Sequence, residues 1–169
     1  MSSHQAPPSS SSFQIHPVRS REDLKATVTL FTAYADSLGI DLSFQNFAAE
    51  MAAMPGAYAP PLGELLLART TSGMAIGCVG LRSLKLPWCC EMKRLYVAPE
   101  GRGLGVGKAL VDSVVEEAAK RGYKEMMLDT LPTMGGAIRL YEKGGFVRTE
   151  PYYQTPLEGT IFLARGLEA

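Results

Sequence analysis

A stretch of alternating glycines between Arg102 and Lys108 is the segment of this sequence with the clearest chemistry. Gly103, Gly105 and Gly107 alternate with larger residues, and a helical pattern of apolar residues follows directly. The first turn of a helix leaves backbone N–H groups unpaired and carries about half a positive charge. Glycines let this backbone approach an anion closely because no Cβ intervenes. Since Arg102 and Lys108 add formal charge, the segment predicts a phosphate-binding loop.

Three phosphate-binding motifs compete for this loop. A Walker A loop requires glycine, four residues and then Gly-Lys-Ser/Thr, but position 102 is arginine and position 109 is alanine. A dinucleotide-binding fingerprint requires G-x-G-x-x-G, and the strict alternation of the glycines misses its last spacing. The third pattern is R/Q-x-x-G-x-G/A, which Arg102-Gly-Leu-Gly-Val-Gly107 matches in full.

The loop lies between a predicted strand and a predicted helix. Apolar periodicity and turn residues predict strands over 13–18, 64–70, 74–84, 90–97, 124–130, 146–147 and 160–164. The same signals predict helices over 21–38, from Ser43 to about Pro55, over 104–121 and over 134–143. The order β-α-α-β-β-β-α-β-α-β-β predicts an α/β protein (α+β) with a mixed sheet and helices on its faces.

The composition indicates one soluble domain whose net charge creates no strong electrostatic field around it. The chain has 169 residues, of which 46% are hydrophobic, and 17 basic residues balance 17 acidic ones. We therefore expect neither a nucleic-acid nor a membrane partner. Residues 1–12 are rich in serine and proline and are predicted to be a disordered tail, with one domain over 13–169. Without a secretory signal, we expect a cytoplasmic protein, and a nuclear location stays open.

Cysteine and histidine usage argues against disulfide and metal chemistry. Cys78, Cys89 and Cys90 are an odd set with two adjacent members, which is not typical of a disulfide framework. His4 and His16 have no companions at metal-ligand spacing, so no metal site is expected.

The loop and its surroundings resemble the GNAT family of N-acetyltransferases. The stretch 91–102 is similar to that family's fourth strand and its exit, and 128–130 to its fifth strand. Residues 137–146 are similar to the helix that follows, ending in L-Y-x-x-x-G-F. The resemblance covers residues 13–165. It implies the GNAT acyl-CoA N-acyltransferase fold, acetyl-CoA as the cofactor, and acetyl transfer to a primary amine.

The resemblance also implies where the cofactor binds. In similar enzymes the fourth strand bulges and splays from the fifth, and the pantetheine arm pairs with its backbone, here at Leu95, Tyr96 and Val97. The further implied contacts are Arg102, Gly103, Leu104, Gly105, Val106, Gly107, Lys108, Met134 and Ala137. Met134 stands where the family often has asparagine, so this position offers no amide side chain.

The same resemblance implies the catalytic groups. Tyr141 would protonate the departing thiolate, since a phenol and a thiol are close enough in pKa to share a proton; the alternative is a core tyrosine. Glu91 would be the base that deprotonates the amine, and the alternative is a salt-bridged glutamate. Asp129 is the second candidate base. Tyr152 and Tyr153 would frame the acceptor amine, and the alternative is that they only anchor their loop. Direct attack in a ternary complex is expected over a covalent cysteine route.

The acceptor itself stays open at this stage. A small-molecule primary amine is the first hypothesis because the sequence shows no acidic cluster for basic peptides. A protein or peptide N-acetyltransferase and a non-catalytic CoA-binding module are the alternatives, and a homodimer is possible. Lys93 and Arg94 are expected to alternate faces, so that one reaches the acceptor and the other is solvated.

Overall fold

The computed structural model describes residues 12–168, apart from the side chain of Phe44. The predicted disordered tail therefore lies outside the described residues, except for Ser12. The strands are β1 Phe13–Pro17, β2 Glu64–Thr70, β3 Ala75–Ser83, β4 Cys89–Val97, β5 Glu125–Thr130, β6 Val147–Arg148 and β7 Ile161–Gly166. The α-helices are α1 Arg21–Leu38, α2 Phe47–Ala52, α3 Val106–Lys120 and α4 Gly135–Lys143.

Within these residues, one mixed sheet contains seven strands in the order β1-β2-β3-β4-β5-β7-β6. Strands β4 and β5 are parallel, whereas the other neighbouring strands are antiparallel. The predicted mixed α/β class and the predicted order of elements are confirmed.

Apolar residues cover both faces of the sheet. On one face the apolar stripe of α3, including Leu110 and Val114, packs on β3 to β5 and β7. On the other face Phe31 of α1 packs with Tyr58 and Leu67. The sheet is thus the middle of three layers. Within residues 12–168, no helix combines the length and the hydropathy that crossing a membrane requires.

The prediction of one continuous second helix from Ser43 is wrong. Residues Ser43–Gln45 form a single 3-10 turn, and α2 begins only at Phe47. Asn46 separates the two with a φ of 55°. Asparagine tolerates this left-handed conformation, which a helix cannot contain. The helix predicted from Leu104 likewise begins two residues later, because Gly103 and Gly105 have φ values of 78° and 80°.

A bulge in β4 separates it from β5. Cys78 of β3 pairs with Tyr96 and Gly80 pairs with Lys93, so two residues of β4 stand opposite one of β3. The extra residue falls at Arg94, which has a φ of 60°. Strand β4 pairs with β5 only over 89–91, opposite 125–127. The two strands therefore diverge beyond Glu91, as the resemblance implied, and a gap opens between them.

Candidate active site

The glycine loop presents open backbone at the N-terminus of α3. A Cβ added at Gly103 or Gly105 would have no protein atom within 4 Å, so the space beside both residues is open. Gly105 is the N-cap of α3 and has no side chain to pair with the N–H groups of the first turn. These free donors and the helix dipole make the loop suited to an anion such as a phosphate.

A cleft of about 560 Å³ leads from this loop along β4. Its walls include the loop glycines, the end of β4 and the start of α4. The predicted cofactor residues that line it are Leu95, Tyr96, Val97, Arg102, Gly103, Gly105, Val106, Gly107, Met134 and Ala137. Leu104 and Lys108, which were also predicted, are exposed and are not among the residues that line this cleft. The Lys108 Nζ lies 2.7 Å from Asp112 Oδ2.

The cleft contains one free edge of β4. Tyr96 and Val97 pair with Cys78 and Gly77 on the β3 side. On their other side, the pairing with β5 has already ended at Glu91. The amides of Leu95 to Val97 therefore face the gap without a strand partner among residues 12–168. Such an edge can pair with an extended ligand that carries amide groups.

A small chamber of about 40 Å³ follows the cleft between β4 and β5. Tyr141 lines it and is only 7% exposed, with its ring 6.0 Å from that of Phe146. Burial raises the pKa of Tyr141 above its ordinary value of 10. The phenol therefore stays protonated at neutral pH and can donate a proton.

A third space, of about 460 Å³, lies beyond the chamber and includes Glu91, Tyr152 and Tyr153 in its wall. Gln45 and Lys93 line both this cavity and the chamber. Tyr34, Leu95 and Met134 line both the chamber and the cleft. Cleft, chamber and cavity therefore form a continuous row along the splayed strands.

The two predicted acids are held by the two predicted tyrosines. Glu91 is 1% exposed; its Oε1 accepts a hydrogen bond from Arg82 Nε at 2.7 Å, and its Oε2 accepts one from the Tyr152 hydroxyl. The Tyr153 hydroxyl donates to Asp129 Oδ2. Burial, reinforced by the negative charges of the acids, raises the pKa of both tyrosines. Both phenols therefore remain donors.

The expectation that either Lys93 or Arg94 is solvated is wrong. Their exposed fractions are 7% and 5%, because the bulge interrupts the alternation of faces and leaves both side chains on the α1–α2 side. The Lys93 Nζ lies 4.0 Å from Asp129 Oδ1, and Arg94 Nε donates to Glu50 Oε2 at 3.3 Å. Burial lowers the pKa of Lys93, against the pull of the acids around it.

Several residues of the site had no sequence signal of their own. Arg82, Glu50 and Gln45 belong to it only because α2, β3 and the bulge of β4 converge there. The bulge implied by the resemblance was the one available clue to which side chains enter the site, since a bulge moves the residues after it to the opposite face of the sheet.

Comparisons with known proteins agree with this geometry. The family model described as the acetyltransferase (GNAT) family matches residues 28–146. An uncharacterized N-acetyltransferase of Schizosaccharomyces pombe is 43% identical over 153 residues, which cover 90% of this chain and 94% of that protein. A second, from Dictyostelium discoideum, is 30% identical over 82% of this chain and 92% of its own length.

Solved structures show the same fold. A GNAT-family acetyltransferase from Staphylococcus aureus superposes with a TM-score of 0.76 at 20% identity, over 92% of this chain and 99% of that one. The segment matched by the family model contains the glycine loop, the splayed part of β4 and Tyr141. The chain therefore belongs to the GNAT family of N-acetyltransferases.

Proposed function

We propose that this protein transfers an acetyl group from acetyl-CoA to a primary amine of a small molecule, by direct attack within a ternary complex. The observation that carries the proposal is the row of cleft, chamber and cavity, with Tyr141 in the middle space. The row gives the two substrates separate entrances and one meeting point between β4 and β5.

The residues of the cleft fit coenzyme A. The loop around Gly103 and Gly105 offers free N–H groups and open space for the diphosphate. The free edge of β4 at Leu95 to Val97 offers donors and acceptors to the amides of the pantetheine arm. Acetyl-CoA supplies the acetyl group as a thioester with a thiolate leaving group.

Tyr141 acts as the general acid in this proposal. The amine nitrogen forms a bond to the acetyl carbon, the carbon–sulfur bond breaks, and the sulfur takes the phenolic proton. The phenol of Tyr141 is protonated at neutral pH, as a general acid must be, and it lines the chamber in which the thiolate would depart.

Glu91 acts as the base and takes the proton that the amine loses. A carboxylate has about four lone-pair sites, and Arg82 and Tyr152 fill two of those on Glu91. Glu91 lines the cavity in which the amine would bind, so its two remaining sites are available to the proton of the amine. Asp129 is the second candidate, since it lines the chamber but also faces Lys93 and Tyr153.

The dimensions of the cavity favour a small acceptor over a protein. Its volume of about 460 Å³ lies within the usual range of small-ligand sites, roughly 300–1,000 Å³. A cavity of this kind next to a buried phenol also favours catalysis over mere binding of CoA.

The test is a screen for thiol release with acetyl-CoA, a panel of small primary amines and a panel of peptides, with product masses determined. We expect thiol release with small amines and formation of the N-acetyl product. The N,N-dimethyl form of the best acceptor is the control, because it has no proton to lose and should not react. Faster transfer to peptides would replace this proposal with a peptide acetyltransferase, and CoA binding without any transfer would indicate a binding module.

A further inference from the structure

Arg94 is a buried cation with an unsatisfied donor. It is 5% exposed, its guanidinium carbon lies 5.0 Å from the centre of the Phe47 ring, and its Nε donates to Glu50. Its Nη2 is buried and has no hydrogen-bond partner in the part of the chain that the structure describes. Leaving a buried charged donor unpaired is unfavourable. Because Arg94 lines the chamber, a ligand with an anionic oxygen there would satisfy it.

Gln45 and Lys93, which line the chamber together with Arg94, also have polar atoms that can form further hydrogen bonds. The buried Oε1 of Gln45 has no partner within residues 12–168, and Gln45 lines both the chamber and the cavity. Lys93 lines the same two spaces, and its 4.0 Å separation from Asp129 is too long for a hydrogen bond. The boundary between chamber and cavity thus presents polar groups that accept or donate no hydrogen bond among residues 12–168.

The charged residues around the two spaces are mostly cationic. Four cations line them, namely Arg82, Lys85, Lys93 and Arg94, against the carboxylates Glu91 and Asp129. Glu50 pairs with Arg82 and Arg94 but lines neither space. Even when Glu50 is included, the cationic residues outnumber the acidic ones by four to three. This balance disfavours a polyamine and favours an acceptor that brings a negative charge.

We propose that the acceptor is an amino acid, whose carboxylate binds Arg94 and Lys93 while its amine faces Glu91. The inference rests on the proposed function and specifies its substrate class. The amine attacks the thioester, its proton passes to Glu91, and the products are the N-acetyl amino acid and the free thiol of CoA. A peptide N-terminus has the amine but lacks the adjacent carboxylate, and is therefore a poor acceptor.

The first experiment compares substrates with the wild-type protein. Each L-amino acid is assayed with acetyl-CoA beside its amide and its decarboxylated amine, and kcat/KM is measured by thiol release. We expect the best amino acid to exceed its own amide by about 30-fold or more, the usual effect of losing one partner of a buried charge pair.

The second experiment assigns that preference to Arg94. In Arg94→Gln, kcat/KM for the amino acid should fall by about 30-fold or more relative to kcat/KM for the amide, so that the preference for the carboxylate is lost. Arg148→Gln is the control, because Arg148 is exposed and distant in the sheet order. Arg94→Lys, which keeps the charge, should retain part of the preference. Thermal unfolding checks that each variant folds. The comparison of substrates with the wild-type protein does not depend on these variants.

The outcomes separate the two proposals. Transfer to amides and simple amines as fast as to amino acids would overturn the inference and leave the proposed function standing. An unchanged preference in a folded Arg94→Gln variant would also overturn the assignment to Arg94. Binding of CoA without transfer to any amine or peptide would refute the proposed function itself, and the inference with it.

Discussion

Two carboxylates, Glu64 on β2 and Glu91 on β4, are almost equally buried, at 2% and 1% exposure, and both pair with arginine. Glu64 accepts four hydrogen bonds: two from Arg19, one from Arg121 and one from the Leu65 N–H. These fill all of its lone-pair sites. Glu91 accepts two among the described residues, and it lines the cavity of about 460 Å³.

The difference teaches that burial and an arginine partner alone do not distinguish a structural acid from a candidate base, whereas the number of occupied lone-pair sites does. Glu64 also borders a surface depression, of about 320 Å³, but its oxygens have no capacity left for a ligand. Arg121 keeps an unpartnered Nε, yet it lines none of the three spaces of the active site. The two lone-pair sites of Glu91 that no described residue occupies are what would let it act as the base that we propose.

The largest effect is expected from Glu64→Gln, on stability. Removing one member of a buried ion cluster should lower the free energy of unfolding by about 3 kcal/mol, at the low end of the usual range because Arg19 stays half exposed. Activity per folded molecule should be unchanged. Urea unfolding measures the loss, and Glu116→Gln, which removes an exposed carboxylate, should cost under about 0.5 kcal/mol.

That loss should depend on pH. Burial opposes ionisation of Glu64, but the hydrogen bonds from Arg19 and Leu65 outweigh it and hold its pKa below the ordinary 4.5. A lowered pKa stabilises the fold above pH 4.5, and the contribution disappears as the pH falls through the folded-state value. The gap between wild type and Glu64→Gln should therefore narrow in acid. Equal stability at pH 7 would refute the structural role.

Glu91→Gln should show the opposite pattern. We expect kcat/KM to fall by about 100-fold, as is typical for loss of a general base, with a stability loss of about 1 kcal/mol. The loss of stability is small because Arg82 keeps a second carboxylate partner, Glu50, 3.7 Å away, when Gln replaces Glu91. Steady-state kinetics and urea unfolding on the same preparation measure both. If the stability loss matched that of Glu64→Gln and activity persisted, Glu91 would be a second structural acid.

Tyr141→Phe should reduce kcat by about tenfold or more and keep the packing against Phe146. Because the pKa of Tyr141 is raised, wild-type activity should not decline through ionisation of this phenol until the pH exceeds 10. Tyr123→Phe is the matched control, since Tyr123 donates to the Leu62 carbonyl away from the active site. An unchanged rate in Tyr141→Phe would remove this residue from the mechanism.

The smallest effect is expected from Lys93→Met, which should raise the melting temperature at pH 7 by about 2 °C. Burial lowers the pKa of Lys93 below 10.5, so its charged form is less stable in the fold than in the unfolded chain. The gain should shrink as the pH rises through the lowered pKa of the folded state, and it should disappear above 10.5, where the lysine is neutral in both states. A lower melting temperature at pH 7 would show that the contact with Asp129 outweighs burial.

Most of the fold followed from local sequence patterns. The caps of α1 at Ser20 and Gly39, the apolar stripe of α3 and the hairpin of β2 and β3 each depend on residues close together in the chain. The glycine loop was found for the same reason. Its conformation requires glycine at positions that the sequence displays directly.

The charged interior of the site could not be found in this way. Lys93 and Arg94 are buried because one extra residue in β4 changes which side they face. The resemblance implied a bulge in this strand, but only its pairing with β3 shows which residue is the extra one. Glu64 on β2 bonds to Arg19, which is 45 residues earlier in the chain, and to Arg121 at the end of α3, which is 57 residues later. Such contacts depend on tertiary structure, for which a single sequence has no local signal.

The most direct test of the account is calorimetry of coenzyme A binding to the wild type, Gly105→Ala and Gly73→Ala. Both glycines have a positive φ and open space around them, but Gly73 lies in the β2–β3 turn. An added Cβ disfavours either conformation by about 1–2 kcal/mol, and only at Gly105 does it also enter the diphosphate site. We predict binding to the wild type and Gly73→Ala, and affinity at least about tenfold weaker for Gly105→Ala. Absence of binding to the wild type, or equal affinity in all three proteins, would contradict the account.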